Sequence, residues 1–375
     1  MAERGPGAPP AATRDPEHVP AGERDSAHVP AGARARETLR EVGIPRLLIG
    51  LFLLLLFAVA LATRMDLAAL ITDCVLRIAR NGLIVLALLP AVQGGVGLNF
   101  GLPVGILCGL VGCVVTLDAN LDGATGLALA ALIGVVLAVP AGAAYGWLLN
   151  RTRGQEMMVG TYLGFALVSG MSILWTLAPF ENPRLVWAIG GRGLRTTLTM
   201  PPASDKLLDH LGAFTLGGVT IPTGTLALFA LACFLTSLFF RTRAGLAISA
   251  ARSNPRFALA SGIRDERTRI QATALSTAIA AAGIVVFCQS YGFVQLYVAP
   301  LYMAFPAVAC LLIGGGSVGR ATLAHVVIGT VLFQSILTVA LPVTSQVVQG
   351  DISDTARLII QNGMILYALT RREAR

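Results

Sequence analysis

The sequence predicts an all-α polytopic membrane protein with about ten transmembrane helices. Three observations predict it. Apolar residues make up 55% of the 375 and charged residues only 13%, where a soluble domain carries about 25% charge. Apolar runs recur from Leu47 onward, and a helix needs roughly 20 such residues to cross a bilayer. The basic residues gather in short clusters between those runs. A chain with mean hydropathy +0.73 would expose an apolar surface to water, so a soluble enzyme, a disordered protein and a nucleic-acid binder are all excluded. The net charge of +8 does not imply nucleic acid, because no basic face is built from those scattered clusters.

Residues 1–45 stand apart. They are rich in Ala, Pro, Gly, Arg and Glu and carry a ten-residue near-repeat, Arg14 to Glu23 and Arg24 to Ala33. Such a segment buries too little apolar surface to offset its ordering entropy, so a disordered cytoplasmic tail is expected. A cleavable signal peptide is not, since the first apolar core begins only near Leu47. Residues 46–375 form the expected transmembrane domain.

Its expected spans are 47–63, 82–97, 101–117, 124–148, 157–177, 222–240, 268–289, 298–315, 321–341 and 355–370. The second and third are short and interrupted by Gly94, Gly95, Gly97, Gly101, Pro103 and Gly105, which leaves eight or nine spans open. Residues 66–80 mix Asp66, Asp73, Arg77 and Arg80 with Leu67, Leu70, Ile71, Val75 and Leu76, the pattern of an amphipathic helix lying in the interface. Arg placement sets the orientation. Arg34 to Arg46, Arg151 and Arg153, the six arginines of loop 241–267, Arg320 and Arg371 to Arg375 all fall on one side, the cytoplasm, with both termini there. Loops 118–123, 290–297 and 342–354 lack Arg and Lys. Ten spans divide into two fives, and a duplicated five-span unit must have its second copy inverted.

The chemistry of soluble catalysis is not visible. Lys206 is the sole lysine and follows Asp205, so no G-x-x-x-x-G-K-[ST] phosphate loop exists. Cys74, Cys108, Cys113, Cys233, Cys288 and Cys310 lie in or beside apolar stretches without CxxC spacing and read as small buried hydrophobes. The four histidines are scattered, so no metal site is expected. Gly314-Gly-Gly-Ser-Val-Gly319 matches G-x-G-x-x-G but is flanked by membrane spans, which fits a tight turn or close helix packing.

Loop 241–267 is the most informative segment. Asn254 is a good N-cap, Pro255 suits the first helical position and Gly262 the stop, so a short helix is expected over 255–261. A solvated loop helix is one reading. The other is a docking helix for a cytoplasmic partner, with Phe257 and Leu259 as apolar contacts and Arg252 and Arg256 beside them. Polar residues near span ends mark a candidate pathway: Gln93, Asn99 and Phe100 in the broken spans, Glu156 and Thr161 at the start of the fifth, and Gln289 at the outer end of the seventh. Polar groups at membrane depth either line a cavity or hydrogen-bond between helices. External residues 178–221 hold Glu181, Arg184, Trp187, Arg192 and Arg195, suited to docking a protein or to an ordinary wet loop.

The stretch Gly245-Leu-Ala-Ile-Ser-Ala-Ala-Arg-Ser-Asn-Pro-Arg-Phe-Ala-Leu-Ala-Ser-Gly-Ile263 resembles the cytoplasmic loop of ABC importer permeases for ribose, other simple sugars, nucleosides and branched-chain amino acids. Gly94-Gly-Val-Gly-Leu-Asn-Phe-Gly101 and Leu311-Leu-Ile-Gly-Gly-Gly-Ser-Val-Gly319 are similar to that family's two glycine-rich stretches. The likeness covers roughly residues 80–370. Ala250, Ser253 and Phe257 depart from its usual Arg, Glu and Ala. The resemblance implies a permease that makes no covalent bond and binds no cofactor of its own. ATP and Mg would be used by separate ABC ATPase subunits docked on the loop helix. A second permease, identical or homologous, and an extracytoplasmic solute-binding protein would complete the assembly, in contact with membrane lipid. The Arg-for-Lys bias with abundant Ala and Gly suits a GC-rich bacterial genome, hence a bacterial inner membrane.

Overall fold

The computed structural model describes residues 44–180, 182–187, 193–347 and 352–370. The expected tail, 1–45, lies outside the described residues except at its last two positions, where the first helix has already begun.

Helix α1 (Ile44–Ala62) is apolar on all sides, and Leu48, Leu51, Leu54, Leu55 and Leu61 are exposed, as suits a lipid-facing helix. Asp66 then caps α2 (Leu67–Leu86), accepting from the N–H groups of Ala68 and Ala69 at 2.9 and 3.2 Å. A short α3 (Leu88–Gln93) follows at once. Here the structure corrects the sequence reading. Residues 66–80 do not lie apart as an interfacial helix, and the expected span 82–97 is only the latter part of a membrane-length apolar stretch, Leu67–Gln93. Leu70, Cys74, Ala79 and Arg80 are buried because this face packs against other helices. The break at Ala87 follows from Pro90, which has no N–H to donate one turn back.

Helix α4 (Leu102–Asp118) opens with a proline in its first turn. Helix α5 (Gly123–Arg151) is the longest and carries a stripe of small residues at every fourth position: Gly126, Ala130, Gly134, Ala138, Gly142 and Gly146 are all buried. A side chain at Gly112 of α4 would strike the Ala130 carbonyl, and one at Gly134 would strike Gly109. Small residues let helix backbones approach this closely. Helix α6 (Glu156–Leu177) completes the first half.

Strand β1 (Thr197–Thr199), helix α7 (Leu207–His210) and the hairpin β2 (Phe214–Leu216) and β3 (Val219–Ile221) lie between the halves. Helix α8 (Thr223–Arg241) follows, then α9 (Arg243–Ser253) and α10 (Pro255–Ala260). Helix α11 (Asp265–Tyr291) packs on α2, α4 and α5. Strand β4 (Phe293–Gln295) pairs antiparallel with β1, Leu198 opposite Val294. The expected span 298–315 is broken into α12 (Ala299–Tyr302) and α13 (Ala304–Ile313). Helices α14 (Leu323–Val347) and α15 (Ile352–Thr370) end the described chain.

The molecule is thus an all-α membrane protein with little sheet. Among the described residues, six helical stretches are long and apolar enough to cross a bilayer, and Arg46–Ala62, Leu102–Asp118 and Ala299–Ile313 are shorter apolar helices. The helix contacts repeat between the halves: α11 on α5 matches α2 on α14, α4 on α5 matches α13 on α14, and α4 on α6 matches α13 on α15.

Candidate functional site

The expected short helix is present as α10. Asn254 caps it, its side-chain oxygen accepting from the Phe257 N–H at 3.1 Å. Pro255 occupies the first turn, and Gly262 follows with φ +79°. Only Ala258 of this helix is buried. Phe257 is 66% exposed and Leu259 69%, with Arg256 exposed beside them. Helix α10 thus presents two large apolar side chains outward from its loop.

Arg252 does something different. It sits two residues before the Asn254 cap in α9's last turn, and it turns inward, where Nη1 donates to the Val92 carbonyl at 2.5 Å. Its Cγ lies against Gly95 and its Nη2 against Gly319. Burial pulls its pKa below the ordinary arginine value. A second guanidinium, Arg269 of α11, is buried at the same end. It donates to the Gly95 carbonyl at 2.9 Å, to Asn150 Oδ1 at 3.0 Å and to Glu156 Oε1 at 2.7 Å. The Arg269 and Glu156 side chains are 8% and 17% exposed. Glu156 also accepts from the Gly154 N–H at 2.9 Å. It is therefore a half-buried carboxylate held in an ion pair.

These arginines close on a loop whose turns favour glycine. Gly95 and Gly97 have φ +73° and +88°, a region costly to any residue with a Cβ. Gly97 abuts Val318 of the second glycine-rich loop, and Gln93 Nε2 donates to the Ala321 carbonyl beyond it at 3.2 Å. The Arg46 guanidinium fills the space above Gly315. Both glycine-rich stretches and three arginines thus meet at one end of the bundle.

Asn99, inside that loop, is 1% exposed. Its Nδ2 donates to Ser276 Oγ at 2.9 Å, and its Oδ1 accepts from the Gly101 N–H at 2.9 Å and the Tyr145 hydroxyl at 3.1 Å. Ser276 donates onward to the Ala87 carbonyl at 2.6 Å. Both polar atoms of the Asn99 side chain are thus bonded, with partners on α5 and α11 as well as in the loop. Phe100 is buried against Phe305, ring centroids 5.5 Å apart. Thr161 donates to the Met157 carbonyl within its own helix. Gln289 lies at the opposite end of the bundle, fully buried, its Oε1 accepting from the Leu208 N–H at 3.2 Å. The structure therefore gathers Gln93, Asn99, Phe100 and Glu156 about one loop and leaves Gln289 apart. Arg269, Asn150, Tyr145 and Ser276 were missed. An arginine just inside an expected span, 268–289, was the signal for the first.

At the end that holds Gln289, Asp118, Asn120, Asn182 and Arg184 line an open hollow of about 680 Å³ with Pro179 and Pro183. Trp187 is exposed nearby in sequence; Glu181 and Arg192 lie outside the described residues.

The architecture is that of a multi-pass helical membrane protein. A family model described as the permease component of branched-chain amino acid transport systems matches residues 70–369. The chain belongs to this family of ABC-transporter permeases, which also takes in ribose and other sugars. No match was found among curated proteins or among solved structures.

Proposed function

We propose that the chain is the transmembrane subunit of an ATP-driven importer, moving a small polar solute by alternating access. A simple sugar or a nucleoside is the preferred cargo. Branched-chain amino acids are the second reading, favoured by the description of the matching family. The single observation that carries the importer reading is α10: a capped helix whose Phe257 and Leu259 stand out into solvent. ABC ATPase subunits dock there and supply the ATP and Mg chemistry; this chain holds no cofactor. A second permease pairs with it, and a solute-binding protein docks at the end bearing the hollow around Asp118 and Arg184.

Ten spans fit this reading, counted as α1, α2 with α3, α4, α5, α6, α8, α11, α12 with α13, α14 and α15. The matched helix contacts of the two halves support an inverted five-span repeat. Both termini then share the cytoplasmic side with α10, in a bacterial inner membrane, and residues 1–45 form a cytoplasmic tail. An ion-coupled carrier would place unpaired acidic or basic groups along its route, whereas the half-buried Glu156 is bound to Arg269.

The test is copurification. The tagged chain, extracted from its own membranes in mild detergent, is expected to bring an ATPase subunit with it. Arg256→Glu with Phe257→Asp is expected to release that subunit. A chain that emerges alone in several detergents overturns the importer reading.

A further inference from the structure

The exposed helix and the buried loop are joined by one side chain. Helix α10 presents Phe257 and Leu259 outward, while Arg252, separated from it by Ser253 and Asn254, reaches inward to the Val92 carbonyl and lies against Gly95 and Gly319. A rigid displacement of α10 pulls on α9's last turn and hence on this guanidinium. On the far side of the same loop, Arg269 grips the Gly95 carbonyl and is itself held by Glu156 and Asn150. Loop 94–101 and the end of α3 that leads into it are therefore held by two guanidiniums, Arg252 at the Val92 carbonyl and Arg269 at the Gly95 carbonyl.

We infer that Arg252 is the coupling residue of this chain and loop 94–101 its moving gate, with the Arg269–Glu156 pair as the latch that holds the loop shut. Three properties of the loop support this. Backbone bonds tie only Gly94, Gly95 and Val96 back to α3, and beyond them the Asn99 side chain bonds the loop to the neighbouring helices. Its glycines at positive φ allow large dihedral changes without side-chain clashes. It also abuts the second glycine-rich loop through Gly97 and Val318, so its movement is passed to the other half of the molecule. Arg252 belongs to the mechanism as a positioning residue rather than as part of the docking surface. This inference rests on the permease reading for the source of the motion, but not for the latch.

Amide hydrogen exchange of loop 94–101 in the full-length, detergent-solubilised chain separates the two. Without nucleotide, Glu156→Gln is expected to speed exchange in this loop about tenfold or more, because a buried charge loses its partner. Arg269→Lys, which keeps the charge, is expected to give a smaller increase. Elsewhere in the bundle exchange stays as in the parent. With the copurified ATPase present, addition of MgATP is expected to change loop exchange in the parent chain. Arg252→Ala is expected to retain the ATPase yet abolish that change, which a purely structural role would not do. A nucleotide response unaltered in Arg252→Ala overturns the coupling role. Loop exchange unaltered in Glu156→Gln overturns the latch. If no ATPase copurifies, the importer reading fails and the coupling role with it, while the nucleotide-free measurement still decides the latch.

Discussion

Asn99 shows what a single residue does in this fold. One amide fills the gap left where the chain stops being helical, between α3 and α4, by bonding the loop to α5 through Tyr145 and to α11 through Ser276. Asn99→Ala leaves the Gly101 N–H and the Tyr145 hydroxyl without their acceptor in a buried place, at a cost of about 1–3 kcal/mol for each group stranded. We expect a clearly lower midpoint of thermal unfolding in detergent for Asn99→Ala and a milder loss for Tyr145→Phe, which removes one hydroxyl and strands nothing else. Equal midpoints for Asn99→Ala and the parent would contradict the bonding described. Asn99 was legible in the sequence as a polar residue in a broken apolar run. Its role was not, because its partners lie 46 and 177 positions away and leave no local trace. Arg269 and Glu156 are hidden the same way, 113 positions apart.

At the scale of elements, the packing of α4, α5 and α11 depends on residues that have almost no side chain. The every-fourth-residue stripe on α5 is plain in the sequence once the helix is known, but a membrane helix is apolar on all sides and gives no amphipathic hint of which stripe is buried. The same blindness explains why 66–80 read as interfacial: its charged residues suggested a wet face, and Arg80 is instead buried over the rings of Phe287 and Tyr291. Gly112→Ala pushes a methyl group into the Ala130 backbone, which cannot rotate away. It is expected to cost about 1–3 kcal/mol, the usual penalty of overpacking, read as lost folded yield and a lower unfolding midpoint. Gly170→Ala, where nothing lies within 4 Å, is the matched control and is expected to behave as the parent. Similar behaviour of the two variants would remove the small-residue seam from the account.

For the whole molecule, the long helices were the legible part, since six of the described stretches are roughly as long as a bilayer is thick and arginine clusters mark the loops on one side. What joins them was not. The proposed topology puts Ser261, after α10, and Arg184, beside the hollow, on opposite sides of the membrane. In a background whose native cysteines are replaced, Ser261→Cys is expected to react with a membrane-impermeant maleimide only in inverted vesicles, and Arg184→Cys only in intact cells. Reaction of both from one side would require an even number of crossings between them, where the ten-span topology has one, α8, and would overturn that count.

The small-residue stripe has one more consequence. Near one end of the seam between α4, α5 and α11, the enclosed space among Cys113, Leu117, Ala130 and Val285 amounts to about 10 Å³, the volume of a single water at most. Along the rest of the seam, backbones touch. Those three helices form a solid wall rather than half of a pipe, and widening it would mean prying apart contacts that have no flexible side chain to yield. Whatever this chain carries must pass alongside that wall.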